Sequence, residues 1–107
     1  MTTFDERKEG FEHGFALGSE LAFKAKARRN QMVGLWAAEK LGLDAKEADA
    51  YASEMIALHL KPDAEDNVFK RIVADFEKAG VQQSHHQIRR TMMQLQVEAE
   101  KLVRESA

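Results

Sequence analysis

Residues 84–102 read Ser84-His85-His86-Gln87-Ile88-Arg89-Arg90-Thr91-Met92-Met93-Gln94-Leu95-Gln96-Val97-Glu98-Ala99-Glu100-Lys101-Leu102. Within them, Ile88, Met92, Leu95, Ala99 and Leu102 recur at spacings of four and three, the period of one narrow helical face. Ser84 and Gln87 form a capping-box pattern, each side chain suited to satisfy an otherwise unpaired backbone N–H at the helix start. A helix of about 20 residues is therefore predicted. Arg89, Arg90, Glu98, Lys101 and Arg104 fall off the apolar stripe and are expected in solvent.

Upstream, the same grammar repeats. Asp63-Ala64-Glu65-Asp66 is an acidic helix start, favoured by the macrodipole, and Phe69, Ile72, Val73 and Phe76 share one face behind it. Gly80 suits the left-handed position that closes a helix. Asp44 and Glu47 make a second capping pattern, followed by Ala48, Tyr51, Ala52, Met55, Ile56 and His59 on one side. Pro62 cannot continue that helix. A fourth helix spans Ser19 to Leu41 and stops at Gly42; Met32, Leu35 and Trp36 are expected to face inward, with Leu21, Ala25 and Leu41 as further candidates. Trp36, the largest apolar side chain, is expected to anchor the core. The connections at 42–44, 61–63 and 80–84 are short, which makes consecutive helices antiparallel neighbours. The expectation is an all-α, antiparallel four-helix bundle over 19–107, preceded by an arm at 1–18.

Composition agrees. A chain of 107 residues, 44% hydrophobic and 32% charged, can bury one core, and no Cys is present for disulfides, thiolate metal sites or thiol nucleophiles. The net charge of −2 gives no field for steering nucleic acid. No apolar run is long enough to span a membrane, so no insertion is expected. Met1-Thr2-Thr3-Phe4-Asp5-Glu6 lacks the basic head of a signal peptide, which suggests a cytoplasmic protein.

The arm is patterned differently. Phe4, Phe11 and Phe15, half of the six Phe in the chain, fall within about 40° of one another on a helical projection. Gly10, Gly14 and Gly18 lie on a flank of that face, and three glycines together cost a helix roughly 3 kcal/mol relative to alanine. The arm is thus expected to be flexible or only partly helical alone and to gain order against a partner, with the Phe side chains as anchors. The alternative is that those rings dock on the bundle and the arm extends its first helix.

Catalytic constellations are not apparent. His85 and His86 are adjacent and point about 100° apart on a helix, so they cannot chelate one metal together. His13 and His59 lack a partner at i,i+4 spacing, and no phosphate loop is present. Neither metal nor cofactor is expected. Lys24, Lys26, Arg28 and Arg29 form a basic run whose ordinary explanation is a solvated helix face. The other reading makes Lys24, Arg28 and Arg29 a docking or phosphate-binding surface, joined by Arg89 and Arg90 if the first and last helices lie side by side.

Two strings are more specific. Phe23-Lys24-Ala25-Lys26-Ala27-Arg28-Arg29-Asn30 runs into Gly34-Leu35-Trp36-Ala37-Ala38-Glu39-Lys40-Leu41-Gly42-Leu43; later, Asp75-Phe76 and Ala79-Gly80 precede Ser84 and His86-Gln87-Ile88-Arg89-Arg90-Thr91-Met92. Together with Met1-Thr2-Thr3-Phe4-Asp5, Arg7, Lys8, Phe11 and Phe15, they resemble the zeta subunit family of alphaproteobacterial F-type ATP synthases. The resemblance implies four helices with an N-terminal arm. It also implies a protein inhibitor of ATP hydrolysis, not an enzyme, whose partner is the catalytic head of the synthase. In that picture the arm enters a cleft between a catalytic and a non-catalytic subunit and becomes helical there. Phe4, Phe11 and Phe15 would fill apolar pockets, while Arg7 and Lys8 would meet carboxylates. Location would be cytoplasmic, peripheral to the inner-membrane synthase, with a monomer expected when free. Family arms carry ordinary helix formers where this chain has Gly10, Gly14 and Gly18, which predicts a weakened inhibitor. The competing function is a helical module that binds a nucleotide or phosphate weakly and does not inhibit.

Overall fold

The turns predicted from capping residues are where the chain reverses. In a computed structural model describing residues 18–61 and 64–106, four helices follow in order: α1 (Ser19–Leu41), α2 (Ala45–Leu58), α3 (Ala64–Ala79) and α4 (His85–Ser106). No strand occurs among the described residues. Asp44 accepts from Glu47 N at 2.8 Å while the Glu47 carboxylate accepts from Asp44 N at 3.1 Å. The same reciprocal pair joins Ser84 and Gln87 at 3.1 and 2.8 Å. Gly42 and Gly80 both sit at positive φ, 76° and 72°. Around them Leu43 N donates to Ala38 O at 3.0 Å and Val81 N donates to Phe76 O at 2.9 Å, which closes both helices in Schellman fashion. Pro62 and Asp63 lie outside the described residues.

Side-chain pairs fix the directions. Phe23 meets His59 and Gly34 meets Ala52, so α2 runs against α1. Tyr51 meets Asp75 and Glu54 meets Arg71, so α3 runs against α2. Asp66 meets Arg89 and Phe69 meets His85, so α4 runs against α3. Leu21, Lys24 and Arg28 share a recess with Val103 and Ser106, so α4 also runs against α1. The result is an up-down four-helix bundle.

α1 is the central element, and its inward face differs from the expected one. Leu35 is exposed, and Met32 and Trp36 are only half-buried. The buried positions are Ala25, Arg29, Asn30, Val33, Gly34, Ala37 and Ala38. Large side chains marked apolar volume in the sequence, whereas close helix packing selects small ones where backbones approach. Trp36 packs at the margin of the core, its ring 5.6 Å from that of Phe76. Phe76, only 1% exposed, takes the anchoring place. Ile72 and Val68 join it from α3, Met55 and Tyr51 from α2, and Ile88 and Met92 from α4.

A polar clamp joins α2 to α3. Tyr51 donates to Asp75 Oδ2 at 2.7 Å, and Arg71 Nε donates to the same oxygen at 2.8 Å. Arg71 also reaches Glu54, and its guanidinium lies 5.4 Å from the Tyr51 ring centre. Burial, with the carboxylate of Asp75 beside it, pushes the Tyr51 phenol well above its ordinary pKa. At the start of α4, Arg89 stacks 3.8 Å from the Phe69 ring centre.

A Cβ added at Gly34 would stand 2.6 Å from Ala52 Cα and 3.1 Å from Met55 Cγ. Alanine there gains about 1 kcal/mol of helix propensity. Overpacking typically costs about 1–3 kcal/mol, and a clash with backbone belongs at the upper end. Gly34→Ala is therefore expected to lower the urea midpoint at unchanged m-value, a net loss of about 1–2 kcal/mol.

Candidate functional site

Arm positions Phe4, Arg7, Lys8, Phe11 and Phe15 lie outside the described residues, as do Gly10, Gly14 and His13. Gly18 is the N-cap of α1, with φ −67° and ψ 168° and no side chain to cap with. Glycine is well tolerated at an N-cap, so the interior-helix cost assigned to it from the sequence does not apply there.

The basic candidates occupy three separate places. Lys24 and Arg28, one helical turn apart, are exposed on the outer side of α1. They line an open recess of about 290 Å³ with Leu21, Val103 and Ser106. Lys24 also lies 3.6 Å from Glu20, an exposed i,i+4 pair that adds little stability. Arg89 and Arg90 are exposed too, but at the start of α4. The two helices do lie side by side, yet antiparallel, so the arginine pair is at the opposite end. The 16 residues from Arg90 to Ser106 span about 24 Å of helix.

Arg29 is in neither place and corrects the reading of the basic run as one solvated face. It is 5% exposed and turned into the bundle. Its Nε donates to Asn30 Oδ1 at 2.8 Å, and its Nη2 is buried without a hydrogen-bond partner among the described residues. Burial alone pulls its pKa below the ordinary value. Lys26 is half-buried beside it, lowered by burial and by Arg29 and raised by Glu100. Periodicity contained a signal for this, since Arg29 lies one turn from Ala25 and Val33 on the inward face. Reading the four cations as a charge run concealed it.

The remaining histidines take bland roles where they are described. His59 caps the C-terminus of α2, and His85 meets Phe69 edge-on at 5.6 Å. Among the described residues no group of three or more His, Asp or Glu could hold a metal, and no helix is long and apolar enough to cross a membrane.

These features define a small all-α protein with charged helix faces and two well-closed turns. Residues 1–102 match the family model described as ATPase inhibitor subunit zeta, and the chain belongs to that family. Membership makes it a regulatory, non-catalytic protein, and its partner by family is the catalytic head of F-type ATP synthase. A comparison with curated proteins returned no match.

Lys24→Glu and Arg28→Glu are expected to leave the urea midpoint unchanged within about 0.5 kcal/mol, because both side chains are solvated. A larger loss for either would place it in the packing of α1 on α4.

Proposed function

We propose that the protein inhibits ATP hydrolysis by inserting residues 1–18 into a subunit interface of the catalytic head, while the bundle remains outside. The observation carrying this reading is the span of the family match, which begins at residue 1 and so takes in the phenylalanine-bearing segment along with the four helices. Phe4, Phe11 and Phe15 supply apolar anchors on one helical face, and Arg7 and Lys8 meet carboxylates at the mouth of the cleft. Insertion needs no covalent step. The inhibitor acts by binding one state of the motor better than the others. The protein works as a monomer at the cytoplasmic side of the membrane, peripheral to the synthase.

Lys24 and Arg28 support a second reading, weak binding of a nucleotide or phosphate, because they share one recess. Arg89 and Arg90 cannot contribute to the same site from the other end of α4.

The deciding measurement is ATP hydrolysis by the cognate head titrated with full-length protein. The triple variant Phe4→Ser, Phe11→Ser, Phe15→Ser is expected to inhibit about a thousandfold less well or worse, each ring removing about 1.5–3 kcal/mol of burial. Its helix content and urea midpoint should match the parent. Unchanged inhibition would refute insertion, and micromolar ATP-induced NMR shifts confined to Lys24 and Arg28 would favour the second reading. Gly10→Ala with Gly14→Ala is expected to strengthen inhibition up to about thirtyfold, from about 1 kcal/mol of helix propensity at each position.

A further inference from the structure

α4 carries two lines of side chains, and the core takes only one. Ile88, Met92 and Ala99 are buried. On the side turned away from them, His86, Arg90, Met93, Val97 and Lys101 follow at steps of three and four, all exposed and within about 80° on the helical projection. Met93 and Val97, one turn apart in the middle of this line, are 71% and 62% exposed. Among the described residues, the other large apolar side chains in solvent are Phe23 and Leu35 on α1 and Leu60 just after α2.

A lone exposed apolar residue is ordinary, but two adjacent ones between charged ends form a patch. Arg90 and Lys101 stand about 16 Å apart along the axis. No acid falls within the 80° of the line. Glu100, at its flank, is half-buried and accepts from Gln96 at 2.8 Å. Arg89 leans onto Phe69 and Asp66 instead of joining Arg90.

The sign of the charges selects among occupants. A second copy on the same face would set Arg90 against Lys101 if antiparallel and against Arg90 if parallel, which repels either way. A bilayer offers anionic headgroups, but a helix lying in it presents its whole apolar face, and that of α4 is occupied by the core. A protein surface with apolar side chains between carboxylates matches every part of the line.

We propose that this outward line of α4 is where the bundle docks on the catalytic head, its occupant a surface segment that carries a small apolar patch bracketed by carboxylates. That segment covers Met93 and Val97 and pairs with Arg90 and Lys101. The inference rests on the reading that the bundle stays outside the head while residues 1–18 insert. Methionine suits such a contact because its flexible thioether chain adapts to what it meets. The charged ends fix direction and hasten encounter, and the apolar pair slows release. The docking line and the core line share no residue, so docking leaves the packing of α4 undisturbed.

The test is the Kd of the full-length protein for the purified cognate head at about 50 and about 300 mM salt. Arg90→Glu with Lys101→Glu is expected to weaken binding at least about tenfold at the lower salt and to remove most of the salt dependence. Met93→Ser with Val97→Ser is expected to weaken it about thirtyfold or more at both. All four side chains are exposed, so both variants should keep the parent's urea midpoint. A parent-like Kd for either pair overturns the proposal. Docking and insertion fail separately. If the Phe4→Ser, Phe11→Ser, Phe15→Ser variant inhibits like the parent while the α4 variants bind poorly, docking stands and insertion falls; the reverse pattern sinks docking alone. No binding to the head overturns both. Three further results would hand the face to another occupant and overturn the proposal. They are a dimer of the free protein lost in Met93→Ser with Val97→Ser, binding to phosphatidylglycerol–phosphatidylcholine vesicles lost in the same variant, and a Met93 methyl resonance that differs in the free protein between the parent and the phenylalanine variant.

Discussion

The approach of α2 to α1 at Gly34 is the constraint on which the rest of the bundle depends. Only a residue without Cβ leaves room for Ala52 there, with its Cα 2.6 Å from where that atom would be. Ala37 and Ala38 extend the narrow face by another turn, both fully buried. The close seam sets the crossing of α1 and α2, and this in turn positions Tyr51 and Met55 to receive α3. By contrast, α3 stands further off and is reached by long side chains: Phe76 to Trp36, Arg71 to Glu54 and Phe69 to Arg89. One seam is made by contact between backbones and the other by rings and charges. Losses at the first propagate, because the nearest atom there, Ala52 Cα, is backbone and cannot swing aside.

The bundle is also uneven inside. Ile72, Phe76, Met55 and Ile88 make an apolar core with at most 1% of any side chain exposed. At the middle of α1, the Arg29 guanidinium is buried with no ion pair among the described residues, beside an asparagine of 0% exposure. Desolvating a charge without a counter-ion opposes folding, so the burial of Arg29 is a cost that the apolar core must offset. α1 also extends beyond α2 at its start. Its 23 residues run about 34 Å and the 14 of α2 about 21 Å, which leaves Phe23 53% exposed.

Much of this was readable from the sequence, and the reasons differ by element. Helix ends were clear because their chemistry is local. Asp44 with Glu47, Ser84 with Gln87, and the glycines at 42 and 80 each act within five residues, and each does what its type dictates. The faces of α3 and α4 were clear because Ile72, Phe76, Ile88 and Met92 follow a clean period. α1 was not, because it packs on more than one side. Its inward face is wide and composed of residues too small to draw attention, with Arg29 and Asn30 among them. Leu35 and Trp36 drew the eye instead, and a single sequence does not show where two backbones meet. The five basic candidates could not be sorted for a similar reason, since their grouping depends on α4 running against α1. The target of inhibition was never in the periodicity; it entered through the family strings.

Val103 and Ser106 of α4 share a recess with Leu21 and Lys24 of α1, so the last turn of the chain stands beside the root of the N-terminal segment. An affinity tag or fluorophore fused after α4 would therefore crowd Leu21 and Lys24 in the first turns of α1. The loops at 42–44 and 80–84 lie at the far end and offer places for labels that leave that root untouched.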